Sequence, residues 1–81
     1  MSWIEITQTE YMDALEVLPP ALKLNHGFLL DEPTIYKEGH PCYSPYLSIC
    51  GHYYAASEPM TNREFRALRI DELVLPSERA P

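Results

Sequence analysis

The chain has 81 residues, and 12 acidic against 6 basic side chains give it a formal net charge of −6 and a pI near 4.8. A chain of this length builds one domain around a modest core, which argues against an elaborate cofactor enzyme with a deep pocket. The acidic balance argues against direct binding of nucleic acid or of an anionic membrane surface, and it favours a basic partner.

We predict one compact domain over residues 1–76 and a disordered tail over residues 77–81, which lacks large apolar side chains. The apolar runs, such as Phe28–Leu30, have only a few residues, far fewer than the roughly 20 residues of a membrane-spanning helix. Glu5 and Glu10 stand where a signal peptide would be basic and then apolar. We therefore expect an intracellular protein with reduced cysteines and no membrane contact.

The first helix is predicted from a capping box, in which Thr7 is the N-cap residue and Glu10 follows three positions later. The apolar side chains that follow recur at helical spacing: Tyr11, Leu15 and Leu18. Because Pro19 disfavours the helical conformation of the residue before it, the helix should cover residues 8–18.

Strands are predicted before and after this helix. Trp3–Ile6 is a short alternating segment. Aromatic and β-branched residues over Tyr43–Ile49 and His52–Ser57 flank Cys50 and Gly51, which indicates a β-hairpin. Because cysteine is poorly suited to positive φ, we predict a type I turn with only Gly51 in the left-handed region, rather than a type I′ turn.

A second capping box at Thr61 and Glu64 predicts a helix over residues 62–72. The predicted fold is therefore α+β: an N-terminal helix, a small antiparallel sheet of two or three strands with a hairpin, and a C-terminal helix. Both helices should pack on one face of the sheet. The expected shared core is the following set: Tyr11, Leu15, Leu18, Phe65 and Leu68.

Two histidines and two cysteines in the middle of the chain form a possible zinc ligand set: His40, Cys42, Cys50 and His52. With Cys50 at the hairpin tip, Cys42 should lie opposite residues 58 or 59. This register separates the thiols, so neither a zinc site nor a Cys42–Cys50 disulfide is expected. A nucleophilic Cys50–His52 pair lacks a recognisable oxyanion hole and an orienting third group. We therefore predict no metal, no cofactor and no enzymatic activity.

Acidic side chains on the first helix are the leading candidates for partner binding. Glu10, Asp13 and Glu16 recur every three residues, and no lysine or arginine precedes residue 23. Such neighbours lie about 5–6 Å apart, comparable with the phosphate spacing along a nucleic-acid strand. Asp31 and Glu32 are secondary candidates. The alternative is an ordinary solvated helix face, with Glu10 complementing the helix dipole.

Six tyrosines are many for a chain of this size, and five of them cluster around the predicted hairpin. Adjacent strand residues point to opposite faces of a sheet, so Tyr53 and Tyr54 cannot both enter the core. Because exposed tyrosine is favoured at interfaces, a tyrosine-rich sheet surface is a second candidate for partner binding or for homodimerisation. Its members are Tyr46, Tyr53 and Tyr54.

Three segments resemble small uncharacterised proteins encoded on plasmids and prophages of proteobacteria: Ala14–Pro20, Phe28 to Pro33, and Tyr53 to Phe65. The similarity spans residues 7–66, and its motifs mark a helix end and a helix start rather than a catalytic site. Small acidic proteins of such elements include anti-CRISPR inhibitors of type I Cascade complexes. The resemblance therefore implies a non-enzymatic inhibitor in the bacterial cytoplasm, which would block a basic nucleic-acid-binding surface of a Cascade subunit.

A regulatory or accessory domain that dimerises through its tyrosine-rich sheet is the main alternative to this interpretation. A small metal or cysteine enzyme ranks third.

Overall fold

The computed structural model describes residues 2–76, and the tail predicted over residues 77–81 lies outside this range. Five antiparallel strands form one sheet in the order β1-β5-β4-β3-β2, and a short helix follows β1 and another follows β5. The strands are β1 (Trp3–Ile6), β2 (Leu22–Leu24), β3 (Gly27–Lys37), β4 (His40–Ile49) and β5 (His52–Ala56). The helices are α1 (Gln8–Val17), α2 (Asn62–Arg66) and a 3-10 helix over Ile70–Glu72.

The predicted sheet of two or three strands is therefore wrong, because β1 and β2 extend it to five. The strand predicted at Trp3–Ile6 forms as β1, and it joins the sheet by pairing with β5, with Trp3 opposite Ala56 and Ile6 opposite Tyr53. β2 has only three residues and pairs with the start of β3. Sheet, rather than helix, is the main component of the fold.

One face of the sheet carries the main hydrophobic core. Phe65 of α2, Met60 and Leu75 form a buried cluster there with these strand residues: Trp3, Leu22, Leu29, Leu47 and Tyr54. Burial of this apolar surface contributes most of the stabilisation of so small a domain.

The opposite face of the sheet receives α1. Tyr11, the buried residue of α1, contacts Phe28, Tyr46 and Tyr53. Each of these three strand residues immediately precedes a core residue of the first face, and successive strand side chains alternate between faces. The two helices therefore lie on opposite sides of the sheet, and the prediction that they share one face is wrong.

Both capping boxes form as predicted. Thr7 Oγ1 accepts a hydrogen bond from the Glu10 backbone N–H at 3.1 Å, and Glu10 Oε1 accepts one from the Thr7 N–H at 2.9 Å. The equivalent Thr61–Glu64 distances are 3.1 and 3.0 Å. The helix predicted over residues 8–18 ends one residue earlier, with Leu18 as C-cap.

The second helix is much shorter than the predicted 62–72, because α2 ends at Arg66 and a separate 3-10 helix follows. Leu68, Ile70 and Leu73 all pack against the main core, and their spacing does not fit one straight helix face. The expected core is also partly wrong. Tyr11 and Phe65 are buried and Leu15 and Leu68 are partly buried, but Leu18 is exposed.

Loss of either helix cap should lower stability by about 1 kcal/mol, because the first turn then loses a backbone partner. We expect this destabilisation for Thr7→Ala and for Thr61→Ala in thermal melts. Thr9→Ala is the matched control, since Thr9 is exposed and lies inside α1. If the cap variants melted at the same temperature as this control, the result would contradict the observed helix starts.

Both long hairpins turn through two residues with positive φ. Glu38 and Gly39 have φ of 52° and 83°, and Cys50 and Gly51 have φ of 50° and 79°. Positive φ at both central residues characterises the type I′ turn, whose twist matches that of the flanking strands. The type I turn predicted at Cys50 and Gly51 is therefore wrong: strand twist outweighs the cost of about 1–2 kcal/mol for a non-glycine residue in this conformation.

Candidate protein-binding surface

The acidic face of α1, defined by Glu10, Asp13 and Glu16, is exposed to solvent. Its orientation follows from Tyr11, which points into the sheet. At about 100° per residue, Asp13 and Glu16 then lie on the side of the helix away from the sheet, with Glu10 at its flank. The structure thus brings these three predicted residues together on one accessible surface.

The three carboxylates differ in their surroundings. Glu10 is held by the capping box, and the hydrogen bonds from the Thr7 backbone N–H and then the Thr7 hydroxyl lower its pKa. Among residues 2–76, neither Asp13 nor Glu16 forms an ion pair. Asp13 and Glu16 are therefore the carboxylates most available to a partner, while Glu10 also maintains the start of the helix.

An aromatic cluster, formed by Tyr11, Phe28, Tyr46 and Tyr53, holds α1 on the sheet. The Tyr11 ring centroid lies 5.2 Å from that of Phe28 and 4.9 Å from that of Tyr53. Phe28 and Tyr46 stack at 5.0 Å with an interplanar angle of 8°. Burial, with a smaller contribution from Tyr53, raises the pKa of the Tyr11 phenol. This packing fixes the direction in which the carboxylates of α1 point.

The predicted tyrosine surface is divided between two faces of the sheet. Tyr46 and Tyr53 are partly buried beneath α1 within the aromatic cluster. Tyr54 belongs to the main core on the other face and is 1% exposed. The three residues therefore do not form one accessible patch, and Tyr54 is out of reach of a partner in the folded protein.

The exposed tyrosine is Tyr36, which the sequence reasoning did not select. It is 69% exposed in the β3–β4 hairpin, and Ile35 beside it is 50% exposed. Asp31 and Glu32, the secondary acidic candidates, are exposed in the same strand. The sequence did contain a signal for this exposure. Acidic residues lie on both sides of the apolar Ile35–Tyr36 pair, which suggests that this segment faces solvent rather than the core.

The two cysteines lie in different environments. Cys42 is buried opposite Ile35 in the sheet, whereas Cys50 is exposed in its turn, and both are free thiols. His52 Nδ1 lies 2.8 Å from Glu5 Oε2 on the neighbouring strand. Within residues 2–76, no three metal-binding side chains are grouped closely enough to hold a metal ion.

An open groove of about 490 Å³ separates the tip of the β3–β4 hairpin from the start of α2. Lys37 Nζ crosses to Glu64 Oε2 at 3.0 Å. The hydrogen bond to Glu64 raises the pKa of Lys37. The pKa of Glu64 is lowered mainly by the hydrogen bond from the Thr61 backbone N–H and secondly by the one from Lys37. The remaining charged residues of the groove include Arg63 and Glu38, so its charge is mixed and favours no particular ligand.

No protein-family model matches this chain, and no curated protein or solved structure is significantly similar to it. Among residues 2–76, no helix is long and apolar enough to cross a membrane.

Proposed function

We propose that this protein is a non-enzymatic interaction protein that binds a basic surface of a protein partner through the acidic face of α1. The observation that supports this function is the exposure of Asp13 and Glu16 on one helix that Tyr11 packs against the sheet, with no described cation paired to them. Complementary charge of this kind accelerates association and selects partners.

In its most specific form, the proposal is an anti-CRISPR-like inhibitor acting in the bacterial cytoplasm. Helix positions three residues apart have Cβ atoms about 5–6 Å apart, which is close to the phosphate spacing, so the acidic face of α1 suits a nucleic-acid channel of a Cascade-type complex. The net charge of −6 is consistent with this competition. The link to Cascade rests on the small size and acidic charge of the chain and on its resemblance to proteins of mobile elements.

Dimerisation through the tyrosine-rich sheet receives no comparable support. Tyr46 and Tyr53 already pack against Tyr11, and Tyr54 is in the main core. A partner subunit could reach only the exposed parts of the first two unless it displaced α1.

The test is a charge reversal that leaves the capping box intact. Asp13→Lys combined with Glu16→Lys should slow association with the target by about tenfold or more, because complementary charges act mainly on the on-rate. The first target is purified type I Cascade, assayed by competition with its DNA. The second is the principal protein captured from a proteobacterial lysate by the unmodified protein, then purified. Binding of the unmodified protein should weaken as salt shortens the Debye length.

Asp71→Lys combined with Glu72→Lys is the matched control. Both residues are exposed in the 3-10 helix, which packs on the α2 side of the sheet, and the net charge changes equally. This control should associate at a nearly unchanged rate. A folded Asp13→Lys, Glu16→Lys variant that binds like the control would refute the proposed function, whereas failure on Cascade alone would reject only the anti-CRISPR form.

A further inference from the structure

The β3–β4 hairpin extends beyond the rest of the sheet as an arm. β3 continues from Leu30 to Lys37 after its last pair with β2, which joins Leu29 to Leu22. All side chains from Asp31 to His40 are exposed. We refer to residues 31–40 as the hairpin arm. The side chains of the arm contribute little to the core. Core packing therefore does not explain why some of them are apolar.

Two of those apolar side chains are large and adjacent. Tyr36 is 69% and Ile35 is 50% exposed, and alternation along the strand directs them to opposite sides of the arm. Tyrosine is enriched among the residues that dominate binding energy at protein interfaces. An exposed tyrosine on a projecting hairpin is therefore a candidate anchor.

An ion pair and a tight turn restrain the arm before any partner binds. Lys37 near its tip reaches Glu64 of α2 at 3.0 Å, and the two-residue turn at Glu38 and Gly39 closes it tightly. An ordered anchor loses less conformational entropy on binding than a flexible loop. This arrangement favours recognition by a fixed hairpin.

The outer edge of the arm is poorly suited to pairing with another strand. Pro33 has no N–H to donate, and the register of β3 against β4 shifts on both sides of it. Proline and bulges are two of the devices by which proteins protect exposed strand edges. Binding through side chains is therefore favoured over strand addition or edge-to-edge pairing with a second copy.

The exposed charges of the arm are mainly acidic and indicate the chemistry of its partner. Asp31, Glu32 and Glu38 are exposed on the arm, whereas its lysine, Lys37, is already neutralised by Glu64. We propose that the hairpin arm inserts Tyr36 into an apolar pocket rimmed by lysine or arginine on a partner protein. This interface is separate from the acidic face of α1 and requires none of its residues.

A phage-displayed library of random peptides supplies the probe. Selection on the unmodified protein should enrich peptides that combine apolar residues with flanking lysine or arginine. Their affinity should fall by about tenfold or more on Tyr36→Ala, the usual scale for loss of an interface anchor. Asp31→Asn combined with Glu32→Gln should lower the affinity of these peptides by less than Tyr36→Ala does. Val74→Ala is the matched control, because Val74 is 63% exposed and lies outside the arm.

Three outcomes would overturn the proposal: no enrichment of basic peptides, equal binding to Tyr36→Ala and Val74→Ala, or self-association that Tyr36→Ala abolishes. Circular dichroism checks that Tyr36→Ala remains folded. The Asp13→Lys, Glu16→Lys variant should bind the selected peptides normally. This measurement separates failure of the hairpin proposal from failure of the function proposed for α1.

Discussion

Replacing Gly27 by alanine is expected to destabilise the protein severely, by about 3–5 kcal/mol, the scale of the most disruptive single substitutions. A Cβ at this position would lie 2.0 Å from the Tyr46 carbonyl oxygen and 3.0 Å from the Leu47 Cα. Both obstacles are backbone atoms of β4, which pairs with β3 at this point. The new methyl group could be accommodated only by separating two central strands. Chemical denaturation provides the measurement.

Gly39→Ala is the control for this experiment. Gly39 has a positive φ of 83°, but no atom lies within 4 Å of a Cβ built there. Its substitution should cost only the backbone strain of about 1–2 kcal/mol. If both variants unfold at the same denaturant concentration, close approach of the β3 and β4 backbones does not limit stability at Gly27.

Replacing Tyr11 by alanine should detach α1 from the sheet. Tyr11 is the buried residue of this helix and makes three of the ring contacts of the aromatic cluster. Truncating such an aromatic residue costs about 3–5 kcal/mol, and a helix as short as α1 is not stable without tertiary packing. Amide hydrogen exchange should therefore show lost protection in α1 before any loss in β4.

The same substitution also tests the proposed function from another direction. Tyr11→Ala leaves all three carboxylates of the acidic face in the chain, yet it removes the packing that orients them. Target binding should fall under conditions where β4 remains protected. Tyr11→Phe preserves the ring contacts and should retain both α1 protection and binding. Undiminished binding by Tyr11→Ala with an unprotected α1 would show that the target does not require a docked helix.

The parts of this protein that sequence reasoning predicted correctly depend on local interactions. Each capping box joins residues three positions apart, so Thr7 and Thr61 mark the helix starts without knowledge of the rest of the fold. The hairpin around Cys50 and Gly51 is likewise local, because its strands are separated by one short turn. The exposure of Asp13 and Glu16 follows from helical periodicity once Tyr11 is placed inside.

Tertiary structure alone decided the remaining features, because they depend on contacts between distant residues. The pairing of β1 with β5 joins Trp3 to Ala56, and it adds an edge strand that no local pattern assigns to this sheet. The placement of α1 and α2 on opposite faces depends on the register of the whole sheet. That register buries Tyr54, places Tyr53 against α1 and leaves Tyr36 exposed. All three tyrosines nevertheless lie in segments of similar composition. Composition and periodicity identify candidate strands, but burial is set by the neighbours that long-range pairing brings to each side chain.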